Sequence, residues 1–164
     1  MANEYTYRAD HVGSLVVPAA LSEARKRRAA GAIGADSLHE AENAAVQAAV
    51  AMQRSSGISI TTDGQFRRGD HAVAPLDGGT LAKTEAAPLR PLSRRPIKVA
   101  VPAARRAPGE TLEQALARAG VVRKEIEALV AAGVDYVQLD APGYSSESGP
   151  VSYTHLTLPT KRIV

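Results

Sequence analysis

The polar groups in this sequence best placed to do chemistry are His11, the pair Gly13–Ser14, Asp63 and Asp140. Asp140 closes the run "VDYVQLD" and is followed by Ala141 and Pro142. An acid at the end of an apolar strand contributes little to packing and is well placed to hold an ammonium group. Gly13–Ser14 falls near the end of "YRADHVGSL". Backbone N–H groups exposed at a turn or helix start attract anions, so this pair can hold a carboxylate. Read alone, the same stretch is a turn whose serine caps the next helix. Asp63–Gly64, closing "ISITTDG", reads equally as a rim acid or as an Asx turn. His11, one of four histidines, stands beside apolar neighbours; its first reading is structural and its second that of an accessory group.

The elements that must position these groups follow from hydrophobic period and punctuation. "YRADHVGSL" (Tyr7–Leu15) reads as a strand delivering a turn. Pro18 suits the first turn of a helix that Gly31 would end. A second helix, with Asp36 or Ser37 as N-cap, carries Leu38, Ala41, Ala45, Ala49 and Met52 at helical spacing and closes at Gly57. "ISITTDG" (Ile58–Gly64) is a second strand, and the Gly- and Pro-rich stretch after it a long functional loop. "PIKVAVP" (Pro96–Pro102) is a third strand. A helix follows, with Thr111 and Gln114 as a capping box and a break allowed at Gly120. Gly133 ends that helix, and "VDYVQLD" (Val134–Asp140) is the fourth strand.

Strands alternating with helices predict the α/β class, a parallel sheet with helical crossovers. Ligands of such sheets bind at the carboxyl ends of the strands. The turns "HVGS", "TDGQ" and "LDAP" place His11, Gly13, Ser14, Asp63 and Asp140 on that one rim.

Composition narrows the class further. The chain has 164 residues, enough for one domain with a core. Aromatics make up 4%, with one Phe and no Trp, which predicts an aliphatic core. There is no cysteine, so thiolate metal sites and disulfides are excluded within these residues. No apolar run approaches the roughly 18 residues of a membrane span, and the amino terminus lacks the apolar stretch of a signal peptide, a cytoplasmic pattern. The formal charge of +3 includes Lys161 and Arg162 near the end of the chain. The basic clusters "ARKRR", "RPLSRRP" and "ARR" have no interleaved aromatics to stack bases, so they read as solvated surface, not as a nucleic-acid site.

"YRADHVGSLVVPAAL", "AVAMQRSSGISITTDGQFRR" and "EIEALVAAGVDYVQLDAPG" resemble, in order and spacing, the amino-terminal half of proteins related to the catalytic domain of cobalamin-independent methionine synthase. The family pattern is roughly "RADHVGSLLRP", then "TDGEFRR", then "YIQIDEP". The resemblance covers Tyr7 to about Gly143. It implies a (βα)₈ barrel, of which this chain would hold about the first four βα units. It also implies methyl transfer from a methylated folate to the thiol of homocysteine, with zinc activating the thiol. By the resemblance, Gly13 and Ser14 match the turn that holds the amino acid's carboxylate, and Asp140 an acid that holds its amino group. Gln65 matches a glutamate with the same task, and Ala141 stands where the family has an acid. Val17 replaces an arginine before Pro18. These changes leave room for another small thiol or alkyl substrate, and a non-catalytic fragment or binding module is the reading from another class. The family's zinc ligands come from the second half of its barrel, so no metal ligand is assigned here.

The last segment, "VSYTHLTLPTKRIV" (Val151–Val164), shares no rhythm with what precedes it and has no helix signal where the fourth βα loop should lead into one. It resembles a translated sequencing-library adapter. The expectation is therefore two parts: residues 1–150 as the amino-terminal half of a barrel, inactive alone and able to self-associate through unpaired edges, and residues 151–164 as a non-native tail.

Overall fold

The structure, a computed structural model, describes residues 9–68, 76–104 and 109–141. Its class is α/β. Helices α1 (Ala19–Ala29) and α2 (Ala35–Ser55) pack on each other at the start. A π-helical turn (Ala82–Ala86) runs into α3 (Ala87–Leu89) and a 3₁₀ turn (Arg90–Leu92). Strand β1 (Lys98–Pro102), helix α4 (Leu112–Ala131) and strand β2 (Tyr136–Asp140) then form a β–α–β unit. β1 and β2 are parallel, in a register pairing Lys98 with Tyr136 and Pro102 with Asp140. Side chains alternate across a strand, so Val99 and Val101 face one way and Lys98 and Ala100 the other. The two valines enter a core with Leu21, Val46, Leu81, Leu89, Ile97 and Leu129. That core is aliphatic, as the composition requires, with Phe66 as its aromatic member.

One sequence expectation holds in detail. Thr111 accepts from the Gln114 amide and the Gln114 side chain accepts from the Thr111 amide, the reciprocal capping box. Others are corrected. α2 begins at Ala35 with Gly34 as N-cap, so Asp36 lies in the first turn and not at the cap. α4 runs unbroken through Gly120. Ser14 does not cap α1, whose N-cap is Pro18 without a side-chain bond.

The first two predicted strands are not formed as strands among the described residues. "ISITTDG" makes a single parallel bridge, Thr61 to Ile97. Its neighbouring backbone is bonded by side chains: the Gln53 amide donates to the Thr62 carbonyl at 2.8 Å and accepts from its N–H at 3.0 Å. Arg95 donates to the Ile58 carbonyl. In the described part of Tyr7–Leu15, Lys98 Nζ donates to the His11 carbonyl at 2.6 Å and Gln138 Nε2 to the Val12 carbonyl at 2.7 Å. Buried backbone groups must be paired, but side chains can do the pairing that a ladder would. A partial TIM-type barrel thus goes beyond the observed two-stranded sheet and its one bridge.

The stretch read as a long loop is helical over 80–92, because Pro88 and Pro91 sit in first-turn positions where the missing N–H costs nothing. Its start is held by Glu125 of α4. The carboxylate accepts from the amides of Gly79 at 2.7 Å, Thr80 at 3.1 Å and Leu81 at 2.7 Å. Glu125→Gln keeps the shape and loses the charge. One of its two accepting oxygens also becomes an NH₂ donor facing a backbone N–H, so the change should cost about 1–3 kcal/mol by urea denaturation; an unchanged midpoint would show that the carboxylate does not hold these amides. The tail 151–164 and the division at residue 150 lie outside the described residues.

Candidate functional site

Asp140, at the carboxyl end of β2, shares a bonding partner, Gln138, with Val12, the residue before Gly13–Ser14. Asp140 ends β2 and is half-buried. Its Oδ1 accepts from Gln138 Nε2 at 2.5 Å, and its carbonyl accepts from the Ala103 amide at 2.7 Å. Gly13 and Ser14 are exposed and follow directly on Val12, which Gln138 also holds. An added Cβ at Gly13 would meet nothing within 4 Å. His11 is half-buried; its Nε2 is enclosed and has no hydrogen-bond partner. The segment 10–12 is fixed from below by Lys98, whose Nζ lies 2.7 Å from Asp10 Oδ2 and over the Tyr136 ring at 5.6 Å from its centroid.

Asp63 sits one turn away, 3% exposed. Its Oδ1 accepts from the Gln65 amide at 2.8 Å, so the Asx-turn reading is the observed one. The turn carries Gly64 at φ 76° and Gln65 at φ 61°. Gln65 is thus a non-glycine residue in the left-handed region, held there by Asp63. The Leu15 amide donates to the Gly64 carbonyl at 3.1 Å, which ties the "HVGS" turn to the "TDGQ" turn. The second Asp63 oxygen, Oδ2, is buried without a hydrogen-bond partner.

Arg68 organises the charges behind this rim. Its Nε lies 2.5 Å from Glu85 Oε1, one Nη2 bond reaches Glu85 Oε2 at 2.8 Å, and another reaches the Ala100 carbonyl on β1 at 2.6 Å. Burial works against the guanidinium charge, but the hydrogen bond and charge of Glu85, with Asp63 and Asp140 behind it, hold its pKa above the usual value. Burial pushes Glu85 up to about 7; the Arg68 bond opposes this and the Asp63 charge adds to it. Burial raises Asp63 as well, against the Gln65 amide and the charge of Arg68. Burial is thus the main cause of both raised values, and the guanidinium between the two acids opposes it.

Arg68 and Glu85 also form one wall of an open cleft of about 440 Å³ on the α2 side, lined further by Glu42, Asn43, Arg67 and Lys83. Burial raises the Glu42 pKa there. None of the residues singled out from sequence lines it.

Sequence reasoning missed Arg68, Glu85, Gln138, Lys98 and Glu125. Gln138 had a signal: two residues before Asp140 in a strand, it must share that acid's face. Lys98 had one too, as a charge inside the aliphatic run "PIKVAVP". Glu125 stands between Val122 and Leu129 at helical spacing, which puts an acid on the buried stripe of α4.

No three His, Cys, Asp or Glu side chains among the described residues come together as a set that could hold a metal ion. The zinc implied by the resemblance has no donor set among the described residues. No helix among the described residues is long and apolar enough to cross a membrane.

No family model matches the chain. Over 62 residues it is 44% identical to the uncharacterized protein YxjH of Bacillus subtilis and 40% identical to YxjG of the same organism. Each match takes in 38% of this chain and 16% of the relative. The fold is similar to a crystal structure from Listeria monocytogenes described as a "Putative Vitamin-B12 Independent Methionine Synthase", with a TM-score of 0.66 and 26% identity. That likeness covers 81% of this chain and 51% of the other, so the chain spans about half the length of the solved structure.

Proposed function

We propose that this chain is the amino-terminal half of a (βα)₈ barrel and holds a small amino-acid thiol by its two charged ends. Gly13 and Ser14 receive the carboxylate and Asp140 the ammonium group. In the whole protein the reaction would be methyl transfer from a methylated folate to the thiol of homocysteine. Zinc activation of that thiol would need donors that the described residues do not hold. The chain alone binds but does not turn over, and the compartment is the cytoplasm. The reading gives no role to nucleic acid or membrane.

The observation that carries this is the convergence at one rim: Asp140 and the segment leading into Gly13–Ser14 are both bonded to Gln138. Likeness to the Listeria structure supports the methyltransferase-like relation. Calorimetric titration with homocysteine tests it. The wild-type chain should bind saturably, and Asp140→Asn should weaken binding by roughly 1.5–3 kcal/mol, the range for hydrogen bonds to charged groups. Equal affinities would sink the assignment of Asp140.

One observation favours a second reading. Gln65 offers no charge to an ammonium, though Asp63 holds its backbone rigidly in place. A neutral group there suits a relative acting on another small thiol or alkyl compound. Gln65→Glu should strengthen homocysteine binding under the first reading, and the absence of any gain favours the second.

A further inference from the structure

Gln138 carries its amide on the face of β2 that also bears Tyr136 and Asp140. A side-chain amide nitrogen has two hydrogens. Here Nε2 donates to the Val12 carbonyl at 2.7 Å and to Asp140 Oδ1 at 2.5 Å. Val12 and Gly13 share one planar peptide group, so fixing the Val12 carbonyl also fixes the direction of the Gly13 N–H. Lys98 fixes the preceding carbonyl, that of His11, at 2.6 Å. Two consecutive carbonyls ahead of the Gly13–Ser14 turn are thus held by side chains of the two strands. One of those side chains simultaneously holds the acid across the rim.

From this geometry, and resting on the amino-acid reading above, we propose that Gln138 is a positioning residue that sets the separation between the carboxylate-holding turn and Asp140. The rim thereby selects ligands carrying an ammonium and a carboxylate on one carbon. A ligand with only one of these groups can follow a displaced pole. A ligand with both needs the two poles at a fixed spacing, because its own covalent frame is rigid there. Lys98 anchors one pole only, so it cannot set the spacing.

The test uses the 164-residue chain, wild type and Gln138→Met, which keeps the side-chain length and removes both donors. Three probes are titrated: homocysteine, 3-aminopropane-1-thiol (no carboxylate) and 4-sulfanylbutanoic acid (no ammonium). Homocysteine should weaken by about tenfold or more, and each one-ended probe by less than about threefold. In the ligand-free, isotope-labelled protein, the Gly13 amide and the Asp140 carboxyl resonances should both move on substitution. Equal weakening of all three probes, with a lowered thermal midpoint, would mean a merely structural role and overturn the proposal. So would unmoved resonances. If the wild type binds none of the probes, the amino-acid reading fails by itself, and the two resonances still decide the coupling. Should Gln138→Met not fold, Gln138→Leu, also neutral and without the donors, is expected to give the same pattern.

Discussion

Replacing Arg68 with methionine is expected to cost about 3–5 kcal/mol of stability at neutral pH, enough to unfold a chain of ordinary stability. Arg68 is 9% exposed and is bonded to Glu85 through two of its guanidinium nitrogens. Removing it leaves Glu85 and Asp63 enclosed with their charges uncompensated, and leaves the Ala100 carbonyl on β1 without that donor. The loss should depend on pH in a defined direction. Glu85 titrates in the folded chain at about 7, above its ordinary value of 4.5. A group whose folded pKa is raised stabilises the fold fully below its unfolded pKa, and that contribution is lost as pH rises through the folded value. Wild-type stability should therefore fall between about pH 4.5 and 7. Without Arg68 to oppose it, the fall should continue to higher pH, so that the variant is far closer to wild type at about pH 5 than at about pH 8. Glu85→Gln keeps an acceptor for Arg68, cannot titrate and should flatten the profile. Urea denaturation at both pH values checks this; an Arg68→Met loss equal at both would show that the two acids are not what makes the arginine necessary.

The second large effect is on mass. The chain in solution is expected to run as a pair or a larger assembly, at twice the 17.2 kDa of one chain or more by light scattering. Among the described residues β2 pairs with β1 along one edge, and no pairing is described along its other edge. Unpaired edges template association. Leu139 on β2 is 56% exposed, and Leu112, Leu116 and Val130 of α4 are exposed as well. Such apolar surface favours a partner. Leu139→Lys places a charge on that edge and should shift the mass toward one chain, because lysine on an edge opposes pairing. Deleting residues 151–164 should leave the assembly nearly unchanged. A monomeric wild type with a cooperative transition that is lost with the tail would show that the tail belongs to the fold.

The helices were legible because their signals are local. The stripe through Ala45 and Ala49 and the Thr111–Gln114 box each lie within one element and need nothing from elsewhere, although Met52, read into that stripe, is 42% exposed. The strands were legible as places but less so as strands. The apolar run around Val99 and Val101 predicted β1, whereas Thr62 and Val12 find their backbone partners in the side chains of Gln53, in the preceding helix, and Gln138, far away in the chain. Periodicity does not report such partners. The helical stretch 80–92 was hidden by Gly78, Gly79, Pro88 and Pro91, all of which punctuate a sequence, and by its dependence on Glu125 of a later helix. At the site, the order of elements leads one to expect Asp140 and the two turns on one rim; the structure bonds Asp140 and Val12 to Gln138 and the Leu15 amide to Gly64. That Arg68 and Glu85 lie behind that rim as a bonded pair needed three dimensions, since 17 residues separate them and no spacing rule joins them.

The central claim is that the rim formed by the Gly13–Ser14 turn and Asp140 holds an amino acid by both ends. Adding homocysteine to the isotope-labelled chain and following its resonances tests this most directly. The account predicts that the amides of Gly13 and Ser14 and the carboxyl of Asp140 move together and saturate at one ligand concentration, while Asn43 and Thr84, on the cleft at α2, stay in place. Shifts confined to that cleft, or no shift at any of these residues, would contradict it.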